Sequence, residues 1–219
     1  MLQETEAKFF VLDLDGIRMR LQTLEAHLIQ PRVLETNIRF DLPDSSLRSE
    51  GRVLRLRQDT EAKFTYKSGS TYQQGVLSRK EIEFVVSDFE KAKLFLEELG
   101  YQKLFYYEKY RTTFDLNSAN PSEGSGPSEG FTHIMLDELP YGNFVEIEGE
   151  NVEVIQAIAK KLNLKWNSAI ATSYHVLFER LCTKHPELDP KELSFSALNG
   201  SNISVRELDI HAGDEKIQS

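Results

Sequence analysis

The stretch LDELPYGNFVEIEG, residues 136–149, decides the fold class, because it predicts two short strands joined by the tight turn PYGN. Alternate residues of a strand point to the same face, so Phe144, Glu146 and Glu148 are predicted to share one face. Asp137, on the partner strand, brings a third carboxylate close to them. Three convergent carboxylates suit a hard divalent cation such as Mg²⁺ or Mn²⁺, whereas a solvated acidic strand face is the alternative interpretation.

The composition is that of an ordinary soluble protein. The 219-residue chain is 40% hydrophobic and 28% charged, with a formal net charge of −9 at pH 7. This charge argues against general nucleic-acid binding, which usually needs a basic surface. No apolar run reaches membrane-spanning length, and the N-terminal residues show no signal-peptide pattern. The single cysteine, Cys182, excludes an internal disulfide, so a cytoplasmic location without membrane contact is expected.

Period-two alternation predicts eight strands, each with one apolar face and one charged face. The first six strands are residues 3–10, 33–42, 52–57, 63–67, 79–86 and 105–116, and the hairpin of residues 136–149 supplies the last two. Helical spacing of apolar residues predicts four helices, at residues 13–28, 87–99, 152–162 and 172–184.

Two segments fall outside this pattern. Residues 117–130, NSANPSEGSGPSEG, are rich in Gly, Ser and Pro, which predicts a flexible hairpin loop because similar strands flank it. Hydrophobic periodicity fades after residue 184, although residues 203–210 alternate as a strand would. The predicted domain therefore covers residues 1–184, and residues 185–219 are predicted to be a C-terminal tail that is partly disordered.

The strand pattern predicts an α+β fold, in which a closed eight-stranded antiparallel β-barrel encloses a polar lumen and the helices pack on its outside. Closing the sheet removes its edges and directs the charged faces toward one another. Burying an unpaired charge costs roughly several kcal/mol, so such a lining requires that the charges pair, stay hydrated and bind a highly charged ligand.

The residues predicted to line the lumen indicate that ligand. Arginine offers planar pairs of donors to phosphate oxygens and lysine offers a point charge, and the predicted cations are Lys8, Arg55, Arg57, Lys67, Arg79, Lys109 and Arg111. Hard oxygen ligands for a divalent metal are predicted at Glu4, Glu6, Glu81, Asp137, Glu146 and Glu148. Together they fit a polyphosphate chain with its metal ion. The alternative is a set of cross-strand salt bridges on a solvated sheet, and spacing alone does not separate the two.

The order of these motifs resembles that of the CYTH superfamily, the triphosphate tunnel metalloenzymes. The N-terminal Glu4-x-Glu6-x-Lys8 is similar to the family signature, and the later strand motifs follow in the family's order: Arg55-x-Arg57, Lys67, Arg79-x-Glu81, Lys109-x-Arg111, Asp137 and Glu146-x-Glu148. Ser173-Tyr174 resembles the closing motif of the family. The resemblance spans residues 1–181 and favours the barrel over the solvated sheet.

The resemblance implies a tunnel that holds a triphosphate, with activities that include thiamine triphosphatase, inorganic tripolyphosphatase, RNA triphosphatase and class IV adenylate cyclase. The layout resembles most the branch labelled class IV adenylate cyclase. The resemblance also implies Mg²⁺ or Mn²⁺ as the cofactor, held by the six predicted carboxylates with Glu81 as a helper. The seven cations would bind phosphate oxygens, and Lys8, Arg57 and Lys67 are expected to act in catalysis.

A metal-dependent triphosphatase that hydrolyses the terminal phosphate is the favoured function, because hydrolysis needs only a metal ion, water and a held chain. The alternatives are a class IV adenylate cyclase, which makes cyclic AMP from ATP, and a non-catalytic polyphosphate- or nucleotide-binding module. The expected partners are a triphosphate-containing small molecule and, in a homodimer, a second copy of the chain. Two features depart from the family: Arg39 stands where an aromatic residue is common, and no tyrosine precedes Tyr66 as in the tripolyphosphatase branch.

Overall fold

Strands and helices make up most of the described chain. The structure is a computed structural model, and it describes residues 2–116 and 132–214. The barrel strands are β1 (Leu2–Val11), β2 (His27–Asp41), β3 (Val53–Gln58), β4 (Ala62–Gln73), β5 (Val76–Val86), β6 (Gln102–Asp115), β7 (Thr132–Leu139) and β8 (Gly142–Gly149). The helices are α1 (Leu14–Thr23), α2 (Ser46–Ser49), α3 (Phe89–Glu98), α4 (Val152–Lys161) and α5 (Tyr174–Lys184). The predicted flexible loop of residues 117–130 lies outside the described residues.

The eight strands form one closed antiparallel barrel. Their order is β2-β3-β4-β5-β1-β8-β7-β6, and β6 pairs with β2 to close the sheet. The closing pair runs from His27 opposite Asp115 to Asp41 opposite Gln102. The predicted eight-stranded α+β barrel is therefore confirmed. Among the helices of the described part of the chain, none is long and apolar enough to cross a membrane.

The first predicted helix is too long at its C-terminal end. α1 ends at Thr23, Glu25 adopts a left-handed φ of 57°, and β2 already begins at His27. Leu28 therefore lies in a strand, although its spacing continues the helical pattern. The starts of the three later long helices are fixed by side chains that accept a hydrogen bond from the backbone N–H three residues on, namely Asp88, Asn151 and Ser173.

Apolar side chains on the outer face of the barrel pack under three helices. α1 and α4 cover a cluster that includes Phe9 and Ile155, and α3 covers another that includes Leu96. This cover is less complete than predicted, because the outward-facing Ile82 and Phe84 of β5 are 46% and 56% exposed.

α5 covers one end of the barrel, which differs from the prediction that the helices pack on its outside. Phe105 and Phe144 lie opposite polar, lumen-facing residues of neighbouring strands, and directly opposed residues point to the same side of a sheet. Both rings therefore face the lumen. The ring of Phe178 lies 6.0 Å from that of Phe105, and the ring of Tyr174 lies 5.0 Å from that of Phe144. The first turns of α5 thus close this end of the lumen with aromatic rings.

The segment after α5 packs against the barrel. Leu193 lies in a two-residue strand, β9 (Glu192–Leu193), that pairs in parallel with β6. Leu193 and Val205 are fully buried in a cluster that also contains Phe178. The alternation of residues 203–210 indicated a strand, and this interpretation is wrong because Val205–Leu208 forms a 3₁₀ helix. The predicted disorder at the chain end falls partly on residues 215–219, outside the described residues, and the domain boundary at residue 184 stays a prediction.

We expect Leu193→Ala to lower the free energy of unfolding by about 2–3 kcal/mol, because it removes a fully buried side chain and leaves a cavity. Urea unfolding measures this change. Leu94→Ala on α3 is the matched control, since Leu94 is 54% exposed. A loss below about 0.5 kcal/mol for Leu193→Ala would mean that the C-terminal segment does not stabilise the barrel.

Candidate functional site

The barrel encloses a cavity of about 400 Å³ with a mainly charged lining. Nine lysine and arginine side chains and seven glutamates line it, an excess of two positive charges, although the whole chain carries −9. A basic cavity inside an acidic protein concentrates positive potential where low-dielectric walls surround it. The lining therefore suits a polyanionic ligand.

The structure brings twelve of the thirteen predicted site residues to this one cavity: Glu4, Glu6, Lys8, Arg55, Arg57, Lys67, Arg79, Glu81, Lys109, Arg111, Glu146 and Glu148. Asp137 is the exception, because it is fully buried behind the lining. Its carboxylate accepts hydrogen bonds from Lys109 Nζ at 2.9 Å and from the Tyr174 hydroxyl at 2.9 Å, and it also accepts from Arg111. Asp137 would have to exchange these partners to bind a metal, and its role as a ligand stays a prediction.

Four of the carboxylates gather on β1, β5 and β8. Glu6 lies opposite Glu148, and Glu4 lies one strand away from Glu81. Burial raises the pKa of Glu148 to about 7, helped by the negative charges of Glu4, Glu6 and Glu81. We call these four residues the carboxylate cluster. Within this cluster the like charges of the other three carboxylates add to the effect of burial on the pKa of Glu148, and Lys67 opposes them in part.

The donor chemistry of the carboxylate cluster fits Mg²⁺ or Mn²⁺, which prefer hard oxygen ligands and would relieve this repulsion. Lysine and arginine now occupy part of the space: Lys67 donates to Glu4, and Arg79 Nη2 lies 3.0 Å from Glu6 Oε1. In residues 2–116 and 132–214 no group of three or more His, Cys, Asp or Glu is arranged to hold a metal ion. Binding a metal therefore requires these carboxylates to turn away from Lys67 and Arg79.

Glu146 has a different environment from Glu148, although both project from β8. Lys8 Nζ lies 3.1 Å from Glu146 Oε1, and Arg111 contacts Oε2. Burial alone would raise the pKa of Glu146, but the charges of Lys8, Arg111 and Lys109 hold it well below its usual range. Glu146 therefore neutralises buried cations, and its role as a metal ligand stays a prediction.

Glu35 is a site residue that was not among the predicted ligands. It is 1% exposed, and its carboxylate lies 3.4 Å from Lys109, 3.7 Å from Arg111 and 3.8 Å from Arg57. Burial would raise the pKa of Glu35, but these three cations lower it to about 2. The alternation of residues 33–42 indicates the inward direction of Glu35. Its partners follow only from the closure that places Glu35 opposite Lys109.

α5 also contributes to the site. The Lys8 ammonium lies 3.9 Å from the centroid of the Tyr174 ring, whose hydroxyl donates to Asp137. This geometry is a cation–π contact. The Ser173-Tyr174 motif therefore joins the helix that closes the barrel to the charged lining. The remaining lining residues outside the prediction include Lys63, Glu83, Tyr107 and His175.

The fold and the site define a closed barrel whose lumen carries an excess of lysine and arginine. The CYTH domain profile matches residues 2–174. The chain therefore belongs to the CYTH family. No curated protein matches the chain.

Solved structures share this fold. A protein from Vibrio parahaemolyticus, named as a candidate adenylate cyclase, is 20% identical with a TM-score of 0.66, over 80% of this chain and 97% of that chain. The PH1012 protein from Pyrococcus horikoshii OT3 is 21% identical with a TM-score of 0.60, over 78% and 96%. HpAC1 from Hippeastrum, a candidate adenylyl cyclase described as having a dominant triphosphatase activity, is 15% identical with a TM-score of 0.54, over 81% and 95%. Identities this low establish the fold alone.

Proposed function

We propose that the protein is a metal-dependent triphosphatase, which binds a triphosphate inside the barrel and hydrolyses its terminal phosphate. The observation that carries this proposal is the composition of one cavity. It combines an excess of lysine and arginine with a cluster of four mutually repelling carboxylates. A polyphosphate would neutralise the first group and a divalent cation the second.

The cations would hold the phosphate chain. Arg55 and Arg57 project from β3, and Lys109 and Arg111 project from β6, so both neighbours of β2 carry two donors into the lumen. Glu35 holds three of these four side chains in place before a ligand arrives. Such preorganised charges favour phosphoryl transfer, because its transition state spreads negative charge over the phosphate oxygens.

The carboxylate cluster would hold Mg²⁺ or Mn²⁺, which supplies positive charge to phosphate oxygens and lowers the pKa of a nearby water molecule. Lys67 and Arg79 would then be released from the carboxylates to contact phosphate instead. At the end covered by α5, the aromatic rings keep bulk water away from the ligand. Lys8, fixed between Glu146 and the Tyr174 ring, would add a further charge from β1.

We expect the protein to release orthophosphate from a triphosphate when Mg²⁺ or Mn²⁺ is present. The measurement incubates it with ATP, GTP, thiamine triphosphate and tripolyphosphate and identifies every product. EDTA should abolish turnover. Arg57→Ala should lower kcat/KM at least about 10-fold, because it removes a charge that contacts the phosphate. Arg206→Ala, at an exposed arginine outside the cavity, is the matched control.

Other products would contradict this proposal in defined ways. Cyclic AMP and pyrophosphate from ATP would identify an adenylate cyclase. Tight binding of the same compounds without turnover at any metal concentration would identify a binding module.

A further inference from the structure

Arg39 differs from the other cations of the cavity. It projects from β2 directly opposite Arg55 of β3, and it lines the cavity. Each of the other eight lysines and arginines of the lining has a carboxylate oxygen within 4.0 Å. Within residues 2–116 and 132–214, Arg39 forms no ion pair. Its Nε, like that of Arg55, Arg57 and Arg79, is buried without a hydrogen-bond partner. Arg39 is therefore a cation of the lining whose charge the protein leaves uncompensated.

His175 fixes the position of the Arg39 side chain. Arg39 Nη1 donates to His175 Nδ1 at 3.1 Å, and the imidazole stacks on Phe105 with ring centroids 4.0 Å apart. The other imidazole nitrogen, Nε2, lies 3.6 Å from Glu179, a carboxylate that Arg48 holds with two bonds of 2.8 Å. Burial and the charge of Arg39 lower the pKa of His175 to about 4. His175 is therefore neutral at pH 7, and it orients the guanidinium without cancelling its charge.

The surroundings of Arg39 favour an anion. Burial lowers its pKa, Tyr107 acts in the opposite direction, and the charges of Arg48, Arg55 and Arg79 lower it further. Arginine nevertheless stays protonated at neutral pH. The neighbouring Arg55 has a single carboxylate within 4.0 Å, that of Glu83 at 3.9 Å. Two adjacent guanidinium groups present planar forks that match phosphate oxygens. A partly buried cation without a counter-charge is unfavourable until such an anion binds.

The place of Arg39 in the barrel defines which part of a ligand it meets. β2 and β1 are four strands apart in both directions around the barrel, so Arg39 lies across the lumen from the wall that carries Glu4 and Glu6. It contacts His175 in the first turn of α5, the helix that closes this end with aromatic rings. A chain that enters from the other end therefore brings its terminus to Arg39.

We infer that Arg39, oriented by His175, is a further phosphate-binding residue and receives the free terminal phosphoryl group of the ligand at the closed end. This inference rests on the proposed binding of a triphosphate. Tripolyphosphate and nucleoside triphosphates have a free terminal group with two ionisable oxygens. A triphosphate esterified at both ends, such as bis(adenosine) triphosphate, lacks this group. The tunnel therefore selects linear polyphosphates with at least one unesterified end.

Calorimetric titration tests this inference in EDTA, where no metal-dependent turnover can occur. The probes are tripolyphosphate and bis(adenosine) triphosphate. We expect Arg39→Gln to weaken tripolyphosphate binding at least about 10-fold, as expected for a lost charge-assisted contact. Arg39→Lys, which keeps the charge but loses the planar fork, should recover part of the affinity. Arg32→Gln, at an arginine outside the cavity, should change it less than twofold. His175→Phe, which keeps the ring stack but removes the acceptor, should lower the affinity less than Arg39→Gln does.

The outcomes separate this inference from the proposed function. Wild-type protein should bind tripolyphosphate at least tenfold more tightly than bis(adenosine) triphosphate, and Arg39→Gln should remove this preference. Equal binding of tripolyphosphate by wild type and Arg39→Gln overturns the role of Arg39 and leaves triphosphate binding intact. Absence of binding by the wild type overturns both. Melting curves of each variant check that it is folded, and Arg39→Gln should melt no lower than wild type because it removes an unpaired cation.

Discussion

Glu148→Gln should abolish metal-dependent triphosphate turnover and raise the melting temperature of the empty protein. The loss of turnover, at least roughly 100-fold, follows from removing a charged oxygen from the carboxylate cluster. The gain in stability follows from the repulsion within that cluster, which helps to raise the pKa of Glu148 to about 7. A shift of this size from the ordinary value of 4.5 corresponds to roughly 3 kcal/mol. Activity assays and thermal unfolding measure the two effects.

The stability gain of Glu148→Gln should depend on pH. Folded wild-type protein binds a proton at Glu148 up to about pH 7, whereas the unfolded chain releases it near pH 4.5. Wild-type stability therefore falls as pH rises from 4.5 to 7, and the variant lacks this fall. The difference between them should be largest above pH 7 and vanish below 4.5. Glu98→Gln, at an exposed glutamate, should show neither effect, and near-normal turnover of Glu148→Gln at saturating Mg²⁺ would refute the metal assignment.

Glu146→Gln gives an informative contrast on the same strand. Glu146 contacts Lys8 and Arg111, so its neutralisation leaves two buried cations without that counter-charge. The two substitutions look equivalent in the sequence, where both carboxylates share one strand face. In the structure the two positions differ, because Glu148 faces other carboxylates and Glu146 faces cations.

Glu35→Gln should lower the free energy of unfolding at pH 7 by about 3–5 kcal/mol, because it removes one partner from a buried ionic network. Glu35 is 1% exposed and lies within 3.8 Å of Lys109, Arg111 and Arg57. Urea unfolding measures the loss. The control is Glu61→Gln, since the Glu61 side chain is 56% exposed and its pair with Lys63 should contribute less than about 1 kcal/mol.

The effect of Glu35→Gln should also depend on pH, with the opposite sign to that of Glu148. The three cations lower the folded pKa of Glu35 to about 2, below its ordinary 4.5. Its stabilisation is therefore fully present above pH 4.5 and is lost as pH falls toward 2. The stability difference between wild type and variant should shrink over this interval. A difference that is small at pH 7, or equally large at pH 3, would show that Glu35 does not neutralise these cations.

The barrel was predictable because its strands have two different surroundings. Inward positions meet a charged lumen and outward positions meet helices, so alternation appears in almost every strand. Twelve of the thirteen predicted site residues line the cavity for this reason. The position of α5 at one end of the barrel could not be predicted from the sequence, because Phe105 and Phe144 are aromatic residues on strand faces that elsewhere carry charge. These two rings pack against a helix that lies about 30 to 70 residues further along the chain, so the local sequence does not explain why they are aromatic.

Contacts that depend on strand register were beyond the reach of sequence patterns. Glu35 meets Lys109 only because β2 closes on β6, and nothing local in residues 33–42 identifies that partner. The packing of Leu193 and Val205 was missed for another reason. Leu193 stands in a polar segment without helical or strand periodicity, and the alternation around Val205 indicates a strand where the structure has a 3₁₀ helix. Only the finished barrel provides the surface on which both residues pack.

The pairing of β1 with β8 also affects how the chain emerges from the ribosome. β1 is synthesised first and can pair with β5 early, but its other edge pairs with Gly142–Gly149 of β8. At about 5–20 residues per second, that edge waits on the order of ten seconds for its partner. Open strand edges invite pairing with other nascent chains, and charged side chains on the strand oppose it. We therefore expect Glu4, Glu6 and Lys8 to oppose such pairing while the barrel is still incomplete.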